Sequence, residues 1–280
     1  MSTTISDPGP AAVTDLDVAI ADMMGARPMK VWSVLVTIFG DLTLPDGVAL
    51  SSTLLGSLAA RLGIRAEALR VALHRLRKDG WLTSQRVGRA SHYRLSAVGL
   101  RESLSVRGRV YPGPTLPEDY SIAIVQAGTA NAQTDQERLV QAGFHRLAPG
   151  LFVSGLDAGI PAGDALVLPG GSRVLPAWMR QHIGNEDLAA EYKTLSAQLD
   201  RLEALLQQDR ADWTVLDQSV VRILIVHLWR RLALRHPDLP ARCFPNQWPG
   251  LECRAKVCSL LCRVTRPDLY ELEQLAVRGG

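Results

Sequence analysis

Residues 69–96, LRVALHRLRKDGWLTSQRVGRASHYRLS, change period halfway along, and that change limits what can be built around them. Up to Lys78 the apolar residues Leu69, Ala72, Leu73 and Leu76 recur at helical spacing. After Gly80 two strand-like segments, 81–87 and 92–95, flank GRAS, which predicts a hairpin with a glycine-containing loop. With the four apolar residues turned inward, the helix presents Glu67, Arg70, Val71, His74, Arg75 and Lys78 on its far face. The hairpin adds Arg86, Arg89, His92 and Arg94. A basic helix running into a basic hairpin points to a polyanion, because long cationic side chains on a helix reach base edges and phosphates from the major groove. The candidate DNA-binding residues are therefore Arg70, His74, Arg75 and Lys78 in the helix and Arg86, Arg89 and Arg94 in the hairpin. The competing reading is a solvated basic face on a helical subdomain.

The segments before this stretch fit the first reading. KVWSVLVTIFG is apolar on nearly every side, which predicts a buried helix ending at Gly40. DLTLPDGVAL holds turn residues and room for a short strand. SSTLLGSLAARLG has Ser51 or Ser52 as N-cap and stops at Gly63. Helix, helix, short turn, helix, hairpin is the order of a winged helix-turn-helix. Arg65 stands near the N-cap of the second of those paired helices, where Ser, Asn or Asp is expected. The whole chain carries a net charge of only +3, so a nucleic-acid footprint must be local; between Arg61 and Arg109 basic residues outnumber acids several-fold.

The 280 residues suffice for two or three units, each with its own core. We expect an α+β chain. Residues 1–26, Pro-, Ser- and Thr-rich at their start, read as a disordered leader, 27–97 as the winged helix and 98–118 as a connector. Residues 119–185 alternate short strands and a helix, predicting a small ferredoxin-like α/β unit. Residues 186–280 read as a helical unit for dimerisation or effector binding, with long helices in EDLAAEYKTLSAQLDRLEALLQQ and LDQSVVRILIVHLWRRLALRH and a last one in LECRAKVCSLLCRV. No apolar run approaches the roughly 20 residues that cross a bilayer, and residues 1–26 lack a basic start followed by an apolar core. The four cysteines, Cys243, Cys253, Cys258 and Cys262, crowd the last forty residues, which is no disulfide framework, and a cytoplasmic protein is expected. They lack paired C-x-x-C spacing, so buried thiols are expected and no metal. LPGGSR lacks the lysine of a phosphate loop.

DGWLTSQRVGRASHYRLSAVG and RILIVHLWRRLALRHPDLPARCFPNQWPG together resemble the PaaX family of bacterial transcriptional regulators, in particular glycines, tryptophans and prolines as well as in periodicity. The resemblance covers nearly the whole chain after residue 27. The middle unit is similar to the small nuclease subunit of CRISPR spacer acquisition, without its acidic site. What the resemblance implies is a dimeric repressor of a catabolic operon for phenylacetate or a related aromatic acid, released from its operator by an acyl-CoA such as phenylacetyl-CoA.

An acyl-CoA brings several phosphate charges, which arginine binds bidentately. The effector candidates are Arg222, His227, Arg230 and Arg231 on one helix, with Trp229 or Trp248 stacking on the ligand. Against this, Arg230 and Arg231 would pair with acids of the same bundle and Trp248 would pin the proline-rich loop. The alternative function is a nuclease or nucleotide-processing enzyme, for which Asp135, Asp157 and Asp164 are the carboxylates on offer. No nucleophile, base and orienting group stand out together, so neither catalysis nor a cofactor is expected. One recognition helix covers about half a site, which predicts a homodimer on a pseudo-palindromic operator. The leucine-, isoleucine- and valine-rich helices around 188–206 and 220–234 are the expected pairing surface.

Overall fold

The computed structural model describes residues 14–25, 29–111, 116–155, 163–171, 173–208 and 213–278. The first described elements are α1 (Asp15–Gly25), α2 (Val31–Leu42), β1 (Leu50–Ser51), α3 (Ser52–Arg61), α4 (Ala66–Lys78), β2 (Leu82–Val87) and β3 (Ala90–Leu95). The three strands pair antiparallel in the order β1-β3-β2, and α2 through β3 follow the order of a winged helix-turn-helix. Local chemistry sets the boundaries. The Ser51 side chain accepts from the Leu54 amide and caps α3. Arg65 caps α4 without a side-chain hydrogen bond, and α4 stops at Gly80, whose φ of 75° lets the Trp81 amide donate back to the Leu76 carbonyl at 2.8 Å. Val87 pairs with Ala90, so the hairpin loop is only Gly88 and Arg89, with Gly88 at φ 60°. It is shorter than the GRAS loop expected, because Ala90 and Ser91 extend β3.

The connector is α5 (Ala97–Ser105) and α6 (Arg107–Val110), and the central unit is β4 (Tyr120–Val125), α7 (Ala132–Gln141), β5 (His145–Ala148), β6 (Leu151–Gly155) and β7 (Ala165–Pro169). The sheet order β5-β6-β4-β7, antiparallel throughout, is that of a ferredoxin-like sheet. HRLAPGLFVSG forms two strands, β5 and β6, broken at Pro149–Gly150. α7 covers one face, packing Ala132 and Leu139 on Ala123, Val125 and Phe152. Residues 156–162, where such a fold has room for a second helix, lie outside the described residues.

The rest is helical: α8 (Ala177–Ile183), α9 (Glu186–Gln208), α10 (Val215–Ala233), α11 (Pro249–Arg263) and α12 (Leu269–Arg278). Three expectations need correction. Within the expected leader 1–26, residues 15–25 are helical and bury Leu16, Ile20 and Met23 against α9 and α10; residues 1–13 lie outside the described residues. The apolar residues of α9 and α10 are not a spare pairing surface: Leu188, Leu195, Leu199, Leu202, Leu206 and the run from Val220 to Val226 are buried within this chain. The units also do not each close their own core. One continuous apolar cluster runs from α2, α3 and α4 into α9, α10 and α11, with α10 packed on α2 and α12 on α3.

Candidate nucleic-acid interface

The amphipathic pattern of α4 divides it as the sequence predicts. Leu69, Ala72, Leu73 and Leu76 are buried, and Arg70, His74, Arg75 and Lys78 are exposed. Arg86, Arg89 and Arg94 are exposed on the hairpin, Arg94 opposite Thr83 and Arg86 opposite Ser91. All seven candidates thus stand on an exposed helix face or on the hairpin that packs beside it. Their partners are weak and displaceable. Arg70 bonds Glu67 at 3.0 Å with both side chains more than 70% exposed, a surface pair worth at most about 1 kcal/mol. Arg75 differs: it lies 3.5 Å from Asp79, and its guanidinium sits 5.7 Å over the Trp32 ring of α2, so it is held toward the protein. Two residues missing from the sequence-derived set belong on this face. Val71 is 69% exposed in the middle of it, suited to a thymine methyl, and Arg77 is exposed in the last turn. Val71 lies on the outward face that the helical spacing predicts, but it carries no charge to mark it.

The root of the hairpin is tied to the connector. The Ser96 amide donates to the Trp81 carbonyl at 2.9 Å, and the Ser96 hydroxyl bonds the Gly80 carbonyl at 2.5 Å. A Cβ on Gly99 would stand 2.4 Å from that same Trp81 oxygen, so only glycine lets α5 approach so closely.

The effector candidates are not gathered into one site. Arg222 is buried in a two-point ion pair with Asp41 of α2, Nε to Oδ2 at 2.8 Å and Nη2 to Oδ1 at 3.0 Å, and its Nη1 donates to the Val264 carbonyl at 2.7 Å. His227 is buried and hydrogen-bonded to the Thr37 hydroxyl at 2.9 Å; burial, with the charges of Arg230 and Arg231, pushes it down to about 4. Trp248 is 5% exposed among Tyr192, His236 and Phe244, with its Nε1 donating to His236 Nε2 at 3.1 Å. Arg230 and Arg231 are half-buried and diverge, Arg230 toward α2 and the connector, Arg231 into a groove along α9. Trp229 is buried and donates to the Val110 carbonyl.

Asp135 is buried in α7 and paired with Arg138 at 3.1 Å, Asp164 precedes β7, and Asp157 lies outside the described residues. Among the described residues no group of three or more His, Cys, Asp or Glu side chains is placed to hold a metal ion, and no helix is long and apolar enough to cross a membrane. The cysteines depart from uniform burial: Cys243 and Cys253 are buried, and burial pushes each up to about 11, but Cys258 is half-buried and Cys262 exposed.

Comparison with known proteins matches residues 30–99 to the PaaX-like protein family and residues 184–269 to the PaaX-like protein C-terminal domain, together more than half of the chain. The transcriptional repressor PaaX of Escherichia coli (strain K12) is 28% identical over 279 positions, spanning 90% of this chain and 86% of that protein. The solved structure of the uncharacterized protein Rv0674 from Mycobacterium tuberculosis covers 87% of this chain and 97% of its own, at 21% identity and a TM-score of 0.49.

Proposed function

Since this chain belongs to the PaaX-like family, we propose that it is a transcriptional repressor of an operon for the breakdown of phenylacetate or a related aromatic acid. The observation that carries this is the exposed basic face of α4 beside an exposed basic hairpin, on a chain whose net charge is otherwise close to neutral. α4 enters the major groove of operator DNA through Arg70, His74 and Lys78, with Arg75 at its edge, and Arg86, Arg89 and Arg94 of the hairpin hold the backbone. Two copies bind a pseudo-palindrome. With α9 and α10 internal, their contact falls to the central sheet, where Ile124 pairs with Leu166 and these two, with Leu168, are exposed.

An acyl-CoA such as phenylacetyl-CoA releases the repressor by favouring the state that does not bind DNA. Of the effector candidates, Arg230 and Arg231 retain exposed surface for a ligand, whereas Arg222, His227 and Trp248 are committed to internal contacts. The test is a footprint on the DNA upstream of this chain's own reading frame, with and without acyl-CoA compounds. Protection that phenylacetyl-CoA abolishes supports the reading; no protected site, or DNA cleavage with magnesium or manganese, overturns it.

A further inference from the structure

A cavity of about 140 Å3 lies where the connector crosses the winged helix, between α2, α5, α6 and α10. Its apolar wall includes Val36, Leu44, Trp81 and Val226. Two polar groups on it stand out. Ser103 is only 8% exposed, and its Oγ has no hydrogen-bond partner among the described residues. Arg230 is half-buried with no carboxylate or carbonyl in reach among the described residues; burial lowers its pKa, and only Tyr111 weighs the other way. Empty voids in protein cores are apolar, and desolvating a cation without a partner costs several kcal/mol. A cation and a spare hydroxyl facing one small apolar space are the composition of a binding site.

The charges around the space set the sign of the occupant. Arg230 and Arg107 face it against one carboxylate, Glu102, whose side chain is 52% exposed. The Tyr111 hydroxyl is committed to Asp41 Oδ1 at 2.7 Å, and Thr37 to His227 and the Ser33 carbonyl. One positive charge is left over. The volume is on the order of the roughly 150 Å3 that holds a benzene ring, and far below what a nucleotide requires. We propose that this cavity binds a compact apolar monocarboxylate, its carboxylate on Arg230 and the Ser103 hydroxyl and its apolar body against Trp81, Val36 and Leu44. The cavity is too small for the nucleotide of a CoA thioester, and the inference does not rest on the repressor reading.

Calorimetric titration of the full chain with benzoate and 3-methylbutanoate, and with the neutral isostere benzamide, tests it. At least one acid is expected to bind, and benzamide about tenfold or more weaker than benzoate, since a charge-assisted bond to a desolvated guanidinium is lost. Arg230→Met is expected to weaken the acid about tenfold, Ser103→Ala by a smaller factor, and the remote Lys193→Met not at all. Saturating acid raises the melting temperature of the wild type, by mass action on the folded state, but not that of Arg230→Met. No binding by either acid overturns the proposal, as does equal binding of benzoate and benzamide. Unchanged affinity in Arg230→Met overturns it too; should that variant fail to fold, unchanged affinity in Ser103→Ala together with equal binding of benzamide overturns it instead. Operator binding is measured on the same samples: operator bound and acids ignored overturns this site alone, and acids bound with no operator recognised overturns the repressor reading alone.

Discussion

Asp41 is fully buried, and what keeps it tolerable is saturation: Arg222 meets both carboxylate oxygens and Tyr111 donates to one of them. A buried pair is costly to break because the survivor stays desolvated. Arg222→Met is therefore expected to lose about 3–5 kcal/mol in denaturant unfolding, far more than any surface arginine, and a loss under about 1 kcal/mol would contradict the burial. Two histidines set a second property. His227, lowered to about 4, and His236, lowered to about 3, are desolvated and near arginines, and His236 Nε2 already accepts the Trp248 N–H. Each folded pKa lies below the ordinary value of about 6.5, so below that pH the unfolded chain takes up protons that the folded one refuses. Stability is full above about pH 7 and falls as pH drops from 6.5 toward 4, by up to about 1.4 kcal/mol per histidine per pH unit. Calorimetric melts at pH 7 and 5 check this, and a level profile would refute it. Asp17, held below the carboxylate range by its bonds to the Thr14 amide and hydroxyl and by Arg61, contributes a loss only at lower pH. The Asp41–Arg222 pairing is not legible in sequence, since the two residues stand 181 positions apart.

At the scale of elements, α4 and the hairpin follow from their own residues. A four-residue apolar stripe, a glycine able to take positive φ and two strand-like segments around a glycine-containing loop determine helix, stop and hairpin. The two elements are expected to contribute differently. Arg70→Ala should abolish preference for the operator while leaving the fold intact, because the side chain is more than 70% exposed. Arg89→Ala, at the hairpin tip, should weaken all DNA alike and reduce the salt slope by about one. Electrophoretic mobility shifts across a salt series separate the two, and equal losses on specific and random DNA for both variants would contradict the division. Arg75, stacked on Trp32, should lose less than Arg70 when cut to Ala. Gly99→Ala should disturb the hairpin without touching DNA, through the Trp81 carbonyl.

For the whole molecule, the winged helix is built into the helical bundle. α10 crosses α2 through the Asp41–Arg222 and Thr37–His227 contacts, α12 covers α3 with Glu273 bonded to the Ser51 amide and hydroxyl, and Arg61 of α3 joins Asp217 of α10 to Asp17 of α1. A fragment of residues 27–97 is therefore expected to lack cooperative unfolding, since Val34, Leu35 and Ile38 lose part of their cover; a sharp thermal transition in the fragment would show that the bundle is dispensable. The same interlock bears on release. In the dimer and release proposed above, a protomer that moves as one piece would lose its operator by changing its angle to its partner, not by swinging the winged helix alone. Light scattering should find a dimer at micromolar concentration, and Leu166→Glu on the exposed sheet face should shift it to monomer; a wild-type monomer, with and without DNA, would refute both the pairing and this mode of release.

By itself, the sequence determined what short-range chemistry controls. The period change at Gly80, a serine cap on α3, the limits of α9 and the outward basic face all follow from residues within a turn or two of one another. Only the tertiary structure decided what depends on distant partners. α1 is a helix because Leu16, Ile20 and Met23 find α9 and α10, though residues 1–26 as a whole read as a disordered leader in sequence. The leucines of α9 are internal because α1, α10 and α11 cover them. HLWRR, a single cationic patch along the chain, is divided because Arg230 and Arg231 are consecutive on one helix and so stand about 100° apart: Arg231 faces the groove along α9, while Arg230 turns toward α2, where His227 is buried against Thr37.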